Sequence, residues 1–475
     1  MSSARSGPVL PSLEDPVVRA ASGMTGGPAG RRVVTGAGWW TPVRVLLAMV
    51  VVVLALGVAE KQYCRADAWS SGGNQPYVHA CYSDIPHMYR LRGFVEGKIP
   101  YLESGDYEKL EYPVIIGGLM TGAAAIARTA DGVPAQTTLF YDVTALMLAG
   151  CAMVTVVALA KLAGRRPWDA ALFALAPALL LNATINWDLV AVMFAALAML
   201  AWARRYPVLA GALIGLGAAT KLYPVLLLGP LFLVCLRAGR LPEFGRALLS
   251  AGSAWALVNL PVMLVAFDGW KTFYVFSEGR GADLGSIWYA ASLLGHPVPA
   301  GALNAVLTML LLAIYATLAV IALRAPRRPR LAQLAFLVVA AFAVFNKVYS
   351  PQYVLWLLPL AALARPRWRD FLIWQACEVS YFFGVWLYLA GWSDQNRGLS
   401  ATAYALVILV HVAGTFYLAG MVLRDMLAPQ HDPVRADGTD DPGGGLVDGA
   451  PDAFVLPAPG AAAPAPRQTV DAHAP

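Results

Sequence analysis

The chain has 475 residues, of which 58% are hydrophobic and 13% charged, with a net charge of +6 and a mean hydropathy of +0.59. A soluble globular chain carries about 25% charged and about 45–50% apolar residues, so a soluble protein is excluded, and the many long apolar blocks also exclude a soluble domain on a single anchor. An all-α polytopic membrane protein is the class that fits, with arginine clusters between the apolar blocks explaining the positive charge as topology determinants rather than as a nucleic-acid surface.

Residues 1–44 are rich in Gly, Ser, Pro and Arg, show no apolar period and read as a disordered cytoplasmic arm. Arg31, Arg32 and Arg44 precede the first apolar run, 45–59. The charged leader is too long for a cleaved signal peptide, so an uncleaved signal-anchor is expected. A polar interval follows, Glu60 to Glu111, rich in aromatic, charged and turn residues. Connections of this length are usually functional. Apolar blocks then recur at 112–127, 137–163, 168–185, 188–203, 207–219, 224–236, 247–267, 301–323, 331–345, 353–364, 371–391 and 399–423.

Arginine placement sets the orientation. Clusters at Arg165/Arg166, Arg204/Arg205, Arg237/Arg240/Arg246, Arg324/Arg327/Arg328/Arg330, Arg365/Arg367/Arg369 and Arg424 fall inside by the positive-inside rule. The Arg-poor stretches 186–188, 220–223, 268–300, 346–352 and 392–398 then fall outside. A crossing at 112–127 would put Arg165 and Arg166 on the wrong side, and this block is short of the roughly 20 residues a spanning helix needs. It is expected to be a re-entrant or interfacial helix on the outer face. Twelve crossings remain, within a domain spanning 45–424, with both termini cytoplasmic. The tail 425–475 is rich in Pro, Gly, Ala and Asp and is expected to be disordered.

Cys64 and Cys81 share the first outer loop, where either a disulfide or two free thiols fits the sequence. The same loop holds the first candidate for general base, Asp84, since a carboxylate at a membrane boundary is partly desolvated and gains base strength. The competing reading makes Asp84 the cap of a short helix over 86–97. Glu111 is the second carboxylate, more economically read as an interfacial residue at a helix start. His79 and His87 read as loop-surface residues.

Two other outer tips resemble each other, Thr220-Lys221-Leu222-Tyr223-Pro224 and Asn346-Lys347-Val348-Tyr349-Ser350-Pro351. A lysine at membrane depth is a functional-site hypothesis by default, and Lys221, Tyr223, Lys347 and Tyr349 together suit a phosphate or pyrophosphate. The alternative for each tip is a snorkelling lysine in a tyrosine belt. The stretch 273–289 adds Arg280 and Trp288, with Glu278 and Asp283, in an aromatic setting that suits sugar rings. Asn186-Trp187-Asp188 is similar in kind, with Asp188 most simply a helix cap. No Walker loop, Gly-rich dinucleotide loop, metal-ligand spacing or Ser/His/Asp arrangement is present, so no cofactor, metal or nucleic-acid partner is expected.

In their order, Ser83-Asp84-Ile85 with Tyr89, Gly97-Lys-Ile-Pro100-Tyr101, Glu111-Tyr112-Pro113, Thr220-Lys-Leu-Tyr-Pro224 and Ser350-Pro-Gln-Tyr353 resemble the GT-C superfamily of integral-membrane glycosyltransferases. More narrowly they resemble bacterial glycosyltransferase family 87, which includes polyprenol-phosphate-mannose-dependent mannosyltransferases. The family often has Tyr-Pro-Pro where this chain has Tyr112-Pro113-Val114, and the spacing from Asp84 to Tyr89 is longer than the family's. The resemblance implies a GT-C-like bundle in the plasma membrane with its active site on the outer face, using a polyprenyl-phosphate sugar donor and a lipid or glycan acceptor. Asp84 would deprotonate the acceptor, and Lys221, Lys347 and Arg280 would hold the leaving phosphate. His87, Tyr112, Gln352 and Trp288 are the expected sugar and acceptor contacts. A multi-span transporter or lipid-linked-sugar flippase is the competing class, disfavoured because the polar residues concentrate in the outer loops.

Overall fold

The computed structural model describes residues 8–24, 38–69, 73–103, 105, 107–392 and 397–457. Arg31, Arg32 and the ends of both terminal segments lie outside these residues. Every regular element described is a helix. The main ones are α1 (Pro16–Met24), α2 (Pro42–Glu60), α3 (Gln75–Val78), α4 (Asp84–Leu91), α5 (Val114–Ala127), α6 (Val133–Leu162), α7 (Asp188–Ala203), α8 (Pro207–Ala218), α9 (Leu228–Arg237), α10 (Leu241–Val265), α11 (Phe267–Gly279), α12 (Ile287–Leu293), α13 (Ala300–Arg324), α14 (Leu331–Phe345), α15 (Val354–Ala364), α16 (Trp368–Ala390) and α17 (Ala401–Leu427).

Six of the described helices, α2, α6, α10, α13, α16 and α17, are long and apolar enough to cross a membrane. Several point their apolar side chains outward: Leu249, Leu257 and Leu264 on α10 are 74%, 78% and 84% exposed. Such a surface has lipid as its natural solvent. The remaining apolar blocks form shorter helices, among them α5, α7, α8, α14 and α15. Nearly every residue of α14 and α15 is buried, so these helices form the interior of the bundle. The block at 168–185 departs from the expected single helix. It breaks into a 3-10 turn (Pro167–Ala170) and two short helices (Ala171–Ala174, Pro177–Asn182). Pro177 has no N–H to continue the preceding turn and starts a new helix at its N-terminus.

The tail also departs from the expected disorder. Residues 429–457 pack against the bundle through the arginines that close its helical hairpins. Arg330, 2% exposed, pairs with Asp432 at 2.8 Å and donates to the Leu363 and Ala364 carbonyls. Arg237 and Arg328 both pair with Asp452, and Trp202 Nε1 donates to the Gly444 carbonyl at 3.0 Å. Few aliphatic residues anchor this segment, Val434 and Val447 among them, and buried guanidinium groups needing carboxylates order the rest.

α8 and α10 pack through small residues. A Cβ added at Gly211 or Gly215 would strike the Ala247 or Ala251 carbonyl one turn apart on α10. Glycines four residues apart allow this close approach in an apolar solvent. Gly215→Leu is therefore expected to force the two helices apart and lower the thermal midpoint in detergent by several degrees, measured against wild type by differential scanning fluorimetry; an unchanged midpoint would contradict the seam.

The first loop is secured at several points. Cys64 and Cys81 form a disulfide with a Cα–Cα distance of 5.8 Å. Lys61, fully buried, bonds Glu60 at 2.9 Å and the Ala80 carbonyl at 3.2 Å. The Ser83 hydroxyl donates to the Thr184 carbonyl at 2.7 Å, and the Asp84 N–H to the Ile185 carbonyl at 2.8 Å. These bonds dock α4 on the 183–187 tip.

Candidate active site

α4 is capped by Ser83, whose Oγ accepts the Ile85 N–H at 3.2 Å. Asp84 is thereby relieved of capping, and its half-buried carboxylate turns to side chains. Tyr82 OH donates to Oδ1 at 2.8 Å and Asn186 Nδ2 to Oδ2 at 2.9 Å. Burial pushes the Asp84 carboxyl above the usual carboxylate range, opposed by these two bonds and by the positive field of Lys221 and His87. Burial also pushes the His87 imidazole below its usual value, against the pull of Asp84.

Asn186 joins this carboxylate to a second cluster. Its Nδ2 also lies 2.7 Å from the hydroxyl of Tyr112. Above the Tyr112 ring, at 6.0 Å, sits the ammonium of Lys221, which also faces the rings of Tyr353 at 5.7 Å and Trp356 at 6.0 Å. Lys221 bonds Asp188 Oδ2 at 2.9 Å, and Trp356 Nε1 donates to Asp188 Oδ1 at 2.6 Å. Asp188 is fully buried and makes no capping bond to α7. Tyr223, Trp356 and Tyr353 form one stack, with centroid distances of 4.6 and 3.8 Å. A carboxylate with raised basicity, a cation and an aromatic wall thus converge from the first loop and from the tips at 183–188, 220–223 and 350–356. This set suits proton abstraction beside an anionic, sugar-bearing substrate.

Among known proteins, the model of glycosyltransferase family 87 matches residues 112–345. The chain is a family 87 glycosyltransferase. No curated protein matches it. The matched segment carries Tyr112, Asn186, Asp188, Lys221, Arg280 and Trp288; Asp84 and Glu111 precede it, and Lys347, Tyr349 and Gln352 follow it.

The other sequence-derived candidates of this transferase occupy different settings. Glu111 is held in a fork by Arg92, with Nε–Oε2 at 2.8 Å and Nη2–Oε1 at 2.7 Å, while Arg92 also pairs with Glu108. Glu111 is a fastener of the first loop. Lys347 Nζ bonds the Glu278 carbonyl at 2.8 Å and Asn304 Oδ1 at 2.7 Å, next to the Arg280–Asp283 pair. Burial pushes the Lys347 ammonium below its usual range. The Lys347 group borders the Asp84–Lys221 cluster through Tyr353, which feels Arg280, Asp283 and Asp84. Tyr349 is fully buried, bonded to Thr415 at 3.1 Å and packed at 4.1 Å against His411. Tyr223 is likewise buried in the aromatic stack. His87 lies 5.5 Å from the Tyr82 ring, Gln352 is buried, and Trp288 Nε1 donates to the Phe345 carbonyl at 2.9 Å.

The two lysine tips therefore differ, although their sequences match. Each runs into a 3-10 turn with proline in its first two positions, but only Lys221 reaches the Asp84 cluster. Trp356 and Asn186 carry weight that their sequence positions did not advertise. The signal available was the polar triplet Asn186-Trp187-Asp188 wedged between two apolar runs, since an acid at membrane depth demands a partner.

Proposed function

We propose that this family 87 glycosyltransferase moves a hexose, mannose first among them, from a polyprenyl-phosphate sugar to a lipid or glycan hydroxyl on the outer face of the plasma membrane. Asp84 acts as the general base. It takes the acceptor hydroxyl proton while the acceptor oxygen forms the bond to the anomeric carbon. The bond from that carbon to the phosphate oxygen breaks, and the polyprenyl phosphate leaves with the electron pair. Attack opposite the leaving group inverts the anomeric centre. The observation that carries the reading is the half-buried Asp84 carboxylate, held by Tyr82 and Asn186 within the field of the Lys221 cation. Lys221 offsets the negative charge that develops on the leaving phosphate, and the Asp188 carboxylate and three rings keep it in place.

The test supplies purified protein in lipid with labelled polyprenyl-phosphate-mannose, other polyprenyl-phosphate hexoses and nucleotide sugars, together with an envelope lipid and glycan extract as acceptor. Transfer is expected from the lipid phosphates alone. Transfer from a nucleotide sugar instead would overturn the donor class. Lys221→Ala is expected to raise the donor KM about tenfold, as loss of one charge-assisted contact implies; an unchanged KM would remove Lys221 from the phosphate site.

A further inference from the structure

The Asn186 amide offers one oxygen and two N–H donors, and each of the three makes a bond. Its Oδ1 accepts the Trp187 N–H at 2.6 Å. An oxygen facing a backbone N–H fixes which end of the amide is which, so the Nδ2 end faces Asp84 and Tyr112. One N–H is spent on the Asp84 carboxylate at 2.9 Å and the other on the Tyr112 hydroxyl at 2.7 Å. Asn186 is 4% exposed, and the docking of α4 on the Ile185 carbonyl holds the two loops together around it.

Tyr112 completes the argument. Its hydroxyl oxygen is already an acceptor, so its proton must be donated elsewhere. Among the described residues no protein atom accepts it, although Tyr112 is only 9% exposed. A buried hydroxyl without an acceptor is costly unless something else takes up its proton. A substrate hydroxyl or phosphate oxygen lying beside Asp84 is the chemistry that fits.

We infer that Asn186 is a positioning residue that locks the Asp84 carboxylate and the Tyr112 hydroxyl in one fixed arrangement, leaving the Tyr112 proton for a substrate oxygen. This rests on Asp84 being the base. The groups facing Asp84 are Tyr77, Tyr82 and His87 from the first loop, Tyr112, Asn186, Lys221 and Tyr353, with Arg90 and Arg92 acting on His87.

Infrared titration of the full-length protein in detergent tests the arrangement without a substrate, the Asp84→Asn variant identifying the Asp84 carboxyl band by its loss. In Asn186→Ala the midpoint of that band is expected to rise by about one pH unit, because a donor to the charged form is gone. The acid limb of the transfer rate should move by the same amount, and Tyr112→Phe should lower kcat about tenfold without moving the band. If Asn186→Ala does not fold, the isosteric Asn186→Asp replaces it, with a larger upward shift expected from two facing carboxylates. An unmoved midpoint in the folded variant overturns the positioning role while leaving Asp84 as base. Wild-type transfer by Asp84→Asn overturns the base itself, whatever the band does.

Discussion

Asp84→Asn is expected to reduce sugar transfer by about 10²–10⁴-fold, the usual contribution of a positioned general base. The substitution keeps the shape of the side chain, and α4 keeps its Ser83 cap and its docking bonds, so the protein should fold as before. The change removes the ability to accept a proton and also replaces one of the two carboxylate oxygens that Tyr82 and Asn186 bond with an amide group. With Asp84 as the proposed base, the active form is the carboxylate, so the rate is expected to fall as pH drops through the Asp84 pKa. Burial raises that pKa. The acid limb of the rate profile is therefore expected above the ordinary aspartate value of about 3.9. Initial rates at saturating donor, measured across pH for both proteins, check both statements. A variant within twofold of wild type would remove Asp84 from the chemistry.

The second large effect concerns stability. Asp432→Ala is expected to destabilise the protein by about 3 kcal/mol, toward the low end for breaking a buried ion pair. Arg330 would keep its two carbonyl acceptors but lose the only carboxylate that it bonds directly among the described residues. Deleting residues 429–457 should cost more, since Arg237 and Arg328 would lose Asp452 as well. Thermal unfolding and monodispersity in detergent measure the two variants. If the deletion left the midpoint unchanged, the tail would have no part in the fold.

The sequence carried the class of the fold, and several residues that gather at the candidate site, for a definite reason. Spanning helices must satisfy their own backbones in lipid, so their length and composition leave a plain mark. Asp84 stood out as a carboxylate in an aromatic loop beside the first apolar blocks, where partial desolvation adds base strength. Hydropathy could not register the break at Pro177, which is a matter of one missing N–H inside an apolar block. Nor could it register that Asp188 serves Lys221 rather than its own helix, since that pairing joins residues from different tips. The matching of the two lysine tips shows the converse limit: similar local sequence does not specify what each side chain meets. Tyr349 meets His411 and Thr415, whereas Lys221 meets Asp188 and three rings. The tail was misjudged by composition because its partners are arginines 102 to 215 positions earlier.

That last pairing sets an order of events during synthesis. Residues 432–452 leave the ribosome after every helix they fasten. Until they arrive, Arg237 and Arg330 hold only carbonyl acceptors of the helices, and Arg237, Arg328 and Arg330 all lack their carboxylates. The seam between the hairpins therefore closes as a late step of maturation, after the helices have been inserted.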